Sequence, residues 1–181
     1  MKISVITIVY NNYATIRSCI EAVLAQDYPN IEHVVIDGGS TDGTQAIIEA
    51  YKEHLGFYIS EPDQGLYNAL NKGIHAATGD VIGILHSDDF YSKMSTLSEV
   101  AQGFQNSGAD MVYGNGMFVD REQPDMVKRI YKAKPFKSSY LKWGWVPLHT
   151  TIYVKKEVFI KYGFYEEQYR IASDYEITLR W

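Results

Sequence analysis

Apolar and polar residues follow two different rhythms along this chain. Short runs rich in β-branched residues, ISVITIVY, IEHVVID, DVIGIL and ADMVYGN, read as buried strands. Between them apolar residues recur at helical spacing, as in Ile16, Ile20, Val23 and Leu24, or Ile47, Ile48 and Tyr51. Over residues 2–113 this predicts repeated strand-loop-helix units around a mostly parallel central sheet flanked by helices, an α/β fold. Past Gly114 the helical period fades until Pro147, which predicts a small separate lobe or long loop in place of another βα unit. A strand over 150–154, a short helix over 155–162 and a helix from Ser173 complete the pattern. That last helix reaches Trp181 with no Gly, Pro or polar tail to end it, so the chain is expected to be the front part of a longer protein.

Composition narrows the function classes. With 181 residues and 46% hydrophobic content, a single domain over 1–181 is expected. The formal net charge of −5, from 17 Lys and Arg against 22 Asp and Glu, argues against broad nucleic-acid binding. The one cysteine, Cys19, cannot form an internal disulfide, and MKISVITIVYNN turns polar too early for a signal peptide or membrane span. A cytoplasmic protein is the expectation.

In parallel sheets ligands gather beyond the carboxyl ends of the strands. Polar residues concentrate there: Tyr10, Asn11 and Asn12, then Asp37 to Asp42, then His86 to Asp89. In VVIDGGSTDGT, Asp37 ends an apolar strand and can accept hydrogen bonds from a nucleobase or ribose, while Ser40 to Thr44 read equally well as a turn with a helix cap. In EPDQGLYNALNKG, Asp63 stands at the crevice mouth, and Asn68, Asn71 and Lys72 fit an ordinary surface helix. In GILHSDDFY the adjacent Asp88 and Asp89 repel each other unless a cation, a ligand or water compensates. One or two carboxylates leave room on Mg2+ or Mn2+ for water and a diphosphate; helix capping is the plainer alternative. Asp174 in SDYEITLR reads either as a charge complementing a helix dipole or as a general base across the crevice from Asp88.

These motifs, in this order, resemble the inverting family 2 glycosyltransferases of the GT-A fold, and the EPDQGLYNALNKG variant with His149 in PLHTTIYVKKEVF is similar to bacterial enzymes building exopolysaccharides such as colanic acid. The resemblance implies a nucleotide-sugar-binding half over 1–115 and an acceptor-side half over 116–181. It puts Asp37 and Asp63 on the nucleotide base, Asp88 on a divalent metal (Mn2+ or Mg2+), Ser87 and Asp89 near the ribose or metal shell, and Asp174 on the acceptor hydroxyl proton. Tyr10 and Asn12 would join the binding of a UDP- or GDP-sugar, with a glycan or lipid-linked glycan as acceptor. Two departures stand out: His86 occupies a position where the family commonly has Asp, and Leu70 one where many members carry Arg, leaving Lys72 as the substitute phosphate contact. His86 and His149 are further metal-ligand candidates, although a lone histidine such as His149 is more often structural.

The stretch VKRIYKAKPFKSSYLKWGW interleaves bases and aromatics and contains no acid. It fits a peripheral contact with the inner face of the plasma membrane, or a solvated loop whose Lys stems cover apolar neighbours. Two other functions compete. A sugar-phosphate nucleotidyltransferase resembles a Gly-rich loop after the first strand, where this chain has Tyr10, Asn11 and Asn12; a nucleotide-sugar binding module with decayed activity is motivated by His86 and Leu70.

Overall fold

The computed structural model describes residues 1–169 and 171–181. The apolar runs form strands and the 3.6-period stretches form helices, in the order β1 (Ile3–Val9), α1 (Ile16–Leu24), β2 (Ile31–Asp37), α2 (Thr44–Ala50), β3 (Phe57–Ser60), α3 (Leu66–Ala76), β4 (Val81–Ile84), α4 (Thr96–Ser107) and β5 (Met111–Tyr113). They are followed by β6 (Gly116–Val119), β7 (Val127–Tyr131), α5 (Ser138–Leu141), β8 (Ile152–Lys155), α6 (Lys156–Tyr162) and α7 (Ser173–Arg180). Six strands make one sheet in the order β3, β2, β1, β4, β8, β5. The first four run parallel, and β8 enters antiparallel to both β4 and β5. β6 and β7 form a separate antiparallel ribbon.

All seven residues of β1 are buried, because helices cover both faces of the sheet. Ile6 and Ile8 pack with Ala69, Leu70 and Ile74 of α3 and with Phe159 and Ile177 on one side. Ile3 and Val5 pack with Cys19 and Val23 of α1 and Leu97 of α4 on the other, while Val9 meets Ile47 and Ile48 of α2. β3 carried no clear signal in the sequence, because this edge strand is only half-buried and lacks a continuous apolar run. The 114–147 region holds the ribbon and one turn of helix, in keeping with a small separate lobe.

The amino ends of the strands are clamped by a polar network. Buried Glu32 accepts hydrogen bonds from Lys2 Nζ (2.7 Å), Ser4 Oγ (2.5 Å), and the Thr78 backbone N–H (2.7 Å) and Oγ1 (2.5 Å). Burial alone would push this carboxyl up, but the Lys2, Ser4 and Thr78 hydrogen bonds outweigh it and hold the pKa at about 2.

His33 on β2 is a second buried titrating group. Burial lowers its pKa to about 4, its Nε2 lies 2.9 Å from Thr7 Oγ1, and its Nδ1 has no partner among the described residues. Between pH 6.5 and 4 the unfolded chain takes up a proton at this residue that the folded chain excludes. Stability from His33 is therefore complete above pH 6.5 and declines as pH falls toward 4, by up to about 3 kcal/mol. Thermal melts across that range should show the decline, and His33→Gln should flatten it; an unaltered slope in the variant contradicts the assignment.

Candidate active site

The loops beyond the carboxyl ends of β1, β2 and β4 are tied together through side chains. Asn11, at φ 47°, donates its backbone N–H to Ser40 Oγ (2.8 Å) and accepts from Thr41 N–H through Oδ1 (2.8 Å). Asn12 Nδ2 donates to Ser87 Oγ (2.9 Å), and Thr15 Oγ1 donates to the Ser87 carbonyl (2.8 Å). Ser87, expected near the ribose or metal shell, is therefore buried and braces the HSDD turn against the β1 loop.

One side of the crevice holds the expected nucleotide residues. Asp37 is fully buried at the end of β2, where it accepts from Ser60 Oγ (2.5 Å) and from the backbone N–H and hydroxyl of Ser40. Gly38 follows it. A Cβ there would lie 2.6 Å from Asp63 Oδ2 and 3.4 Å from the Tyr10 ring, so the missing side chain lets the carboxylate and the exposed aromatic face the same floor. Asp63 itself accepts from Gly65 N–H (2.9 Å), which shapes the turn into α3. Lys72 engages the chain just before Asp63: its ammonium lies 2.7 Å from Glu61 and donates to the Pro62 carbonyl (3.3 Å). Leu70 is buried in the core, and Asn71 ties α3 to Tyr165 and Glu167.

The other side gathers ionisable groups from three distant stretches. Because β8 runs antiparallel beside β4, the 3-10 turn His149–Thr151 leading into it sits beyond the end of β4. His149 Nε2 lies 3.3 Å from His86 Nε2, and its Nδ1 lies 3.5 Å from Asp174 Oδ2. Tyr67 of α3 donates its hydroxyl to Asp174 Oδ1 (3.2 Å) and accepts from Ser173 N–H (3.1 Å). Nothing in the sequence singled out Tyr67, since an aromatic in the first turn of a helix is commonplace. Asp174 is the second residue of α7, which Ser173 opens directly after Ala172, whose φ of 73° is an unusual left-handed conformation for a residue with a side chain. An apolar recess walled by Leu66, Leu70, Tyr165 and Ile171 opens onto His86, His149 and Asp174.

Burial depresses the pKa of His86, against an opposing pull from Asp88 and Asp174. His149 is lowered by burial and by His86. Burial thus favours the neutral form of both rings, the form that can ligate a metal. Asp89 is raised by burial and by Asp88, whereas the Asp88 side chain is exposed. Two imidazole nitrogens 3.3 Å apart fall between the separations of cis-octahedral and tetrahedral ligands held at about 2.1 Å. Among the described residues no three His, Cys, Asp or Glu side chains are gathered tightly enough to hold an ion as placed. The His86–His149 pair offers a divalent cation two nitrogen ligands, and the exposed Asp88 carboxylate, whose charge acts on His86, is the candidate third.

Relatives carry the same arrangement of sequence and fold. The family profile described as Glycosyl transferase family 2 matches residues 4–166. An uncharacterised glycosyltransferase of Mycobacterium tuberculosis is 32% identical over 181 residues, covering 98% of this chain and 68% of its own length. A PGL/p-HBAD biosynthesis glycosyltransferase of Mycobacterium bovis is 28% identical over 192 residues, again covering 98% and 68%. Staphylococcus aureus TarS 1-349 in complex with UDP-GlcNAc superposes with a TM-score of 0.77 at 22% identity, covering 99% of this chain and 53% of that one. The mannosyltransferase PcManGT from Pyrobaculum calidifontis, in complex with GDP-Man and Mn2+, gives 0.72 at 20% identity over 97% and 51%. This chain thus spans about half the length of those solved proteins. The mixed sheet flanked by helices is the GT-A fold expected from the motifs, and the profile match over most of its length means that the chain belongs to glycosyl transferase family 2.

Proposed function

We propose that this chain transfers a sugar, with inversion, from a nucleoside-diphosphate sugar to a hydroxyl of a glycan or lipid-linked glycan in the synthesis of a bacterial surface polysaccharide. The observation that carries this reading is the convergence of Asp174, His149 and His86 beyond the end of β4, on the same strand-end side of the sheet as Gly38, Asp63 and Tyr10 beyond β1 and β2. The structural neighbours were solved with UDP-GlcNAc or GDP-Man, which supports a nucleotide-sugar donor.

Each side chain has a role that its surroundings suit. Asp63 and Tyr10 flank the base, and Asp37 shapes the floor beneath it. Asp174 accepts the proton of the incoming hydroxyl, held in place by Tyr67 on one oxygen and steered by the His149 ring beside the other. Attack from the Asp174 side, with the diphosphate leaving on the opposite side, inverts the anomeric carbon. His86, His149 and Asp88 would hold Mn2+ or Mg2+, with the imidazoles favouring Mn2+. When bound, such an ion offsets the charge of the departing diphosphate.

Incubation with UDP- and GDP-sugars, Mn2+ and glycan acceptors should release nucleoside diphosphate and give a product of inverted anomeric configuration. Binding without any release would favour the decayed binding module, and absence of both would remove the reading. Gly38→Ala adds one methyl between Asp63 and Tyr10 without backbone strain. It should weaken nucleoside diphosphate binding by about tenfold, roughly 1.4 kcal/mol, while leaving the melting temperature near that of the parent. Unchanged affinity would place the base elsewhere.

A further inference from the structure

The β6–β7 ribbon and the segment after it stand apart from the crevice chemistry. Every residue from 121 to 130 is exposed, and among the described residues no helix packs extensively over the ribbon. A two-stranded ribbon left open in this way buries little apolar surface of its own. Cross-strand pairing puts Met117 opposite Ile130 and Phe118 opposite Arg129. Gly116 and Tyr131 sit against the segment leading to His149: a Cβ at Gly116 would touch Leu148, and Tyr131 donates its hydroxyl to the Val146 carbonyl (3.1 Å). Strand alternation turns Met117 and Ile130 to the opposite face, where they are 47% and 61% exposed. Phe136 is half-exposed, and Trp143, beside α5, is 88% exposed.

Charge is segregated onto the same lobe. The sequence VKRIYKAKPFKSSYLKWGW holds six of the chain's 17 bases and none of its 22 acids. Lys128 is bridged to Asp120 (2.6 Å), and Glu122 and Asp125 lie in the loop at the far end of the ribbon. Arg129, Lys132, Lys134, Lys137 and Lys142 form no ion pair among the described residues. An otherwise acidic protein thus presents a cationic surface studded with large, exposed apolar side chains. Charge complementarity calls for an anionic partner, and the exposed Trp and Ile call for one with an apolar interior beneath its charge.

We infer that the β6–β7 ribbon and the 132–143 segment dock this protein peripherally on an anionic lipid bilayer, with the lysines on head groups and Trp143, Ile130 and Met117 at the interface. Because the ribbon rests on the segment that carries His149, docking there seats the crevice beside the bilayer. No helix among the described residues is long and apolar enough to cross a membrane, so this contact is a surface one. It does not depend on the transfer chemistry.

Sedimentation of the 181-residue chain with vesicles of phosphatidylcholine alone, or with one third phosphatidylglycerol, tests it. Binding should appear only with the anionic vesicles and fall as salt rises from 0.1 to 0.5 M, where the ~10 Å screening length is roughly halved. Lys132→Gln/Lys134→Gln/Lys137→Gln should lower partitioning more than tenfold, and Trp143→Ala about fivefold. Both substitutions are at exposed positions and should leave the melting temperature and nucleoside diphosphate binding intact. Brominated lipid should quench tryptophan fluorescence in the parent and much less in Trp143→Phe. Equal sedimentation with both vesicles, no effect of the triple substitution, or binding to RNA without binding to vesicles would each overturn the inference.

Discussion

Asp174→Asn lowers sugar transfer by about 10²- to 10⁴-fold and leaves donor affinity within about twofold of the parent. The amide keeps the size of the carboxylate and can still accept from Tyr67 through its carbonyl oxygen, so the start of α7 stays in place. What it cannot do is take a proton from an attacking hydroxyl. General-base assistance of this kind is worth roughly 3–5 kcal/mol of barrier. Initial rates measured beside calorimetric donor binding separate the two effects, and a variant retaining more than a tenth of the parent rate would discard Asp174 as the base. Tyr67 is a positioning residue in this scheme. Tyr67→Phe should reduce the rate several-fold with no loss of donor affinity, whereas a merely structural role would lower the melting temperature instead.

Asp88→Ala has a different signature. Asp88 is exposed, so its loss costs the fold little, yet its charge acts on His86, which pairs with His149. Removing it should weaken Mn2+-dependent binding of a nucleoside diphosphate by 10- to 100-fold or more, with little change in metal-free binding. His149→Ala should act in the same direction, and it also removes the ring beside Asp174. Titrations with and without Mn2+ read the difference. Equal binding of parent and Asp88→Ala in the presence of Mn2+ contradicts a metal role for Asp88.

Much of this arrangement was legible along the chain. Asp37 and the HSDD turn stand out because a carboxylate ending an apolar strand needs partners there, and both lie at such strand ends; for Asp37 the partners are Ser40 and Ser60. His149 was open because a lone histidine 63 positions from His86 carries no local signal. Its place depends on β8 turning antiparallel beside β4, a long-range pairing that periodicity cannot encode. Tyr67 was hidden for the same reason, since its partners Ser173 and Asp174 are more than a hundred residues away. The partner of Lys72 was hidden as well, since Glu61, eleven positions earlier, pairs with its ammonium across a turn. The ribbon escaped periodicity because neither of its strands is buried, so no alternation was imposed on the sequence.

A thermal-shift titration with UDP and GDP, each with and without Mn2+, bears most directly on the nucleotide crevice. A ligand at a hundred times its Kd stabilises the folded chain by about 2.7 kcal/mol, enough for a shift of several degrees. One of the two nucleotides should raise the melting temperature in a Mn2+-dependent way, and Gly38→Ala and Asp88→Ala should each blunt the rise. Melting curves that neither nucleotide moves, at millimolar concentration with Mn2+ present, would contradict a nucleotide-sugar site between Asp37 and Asp174.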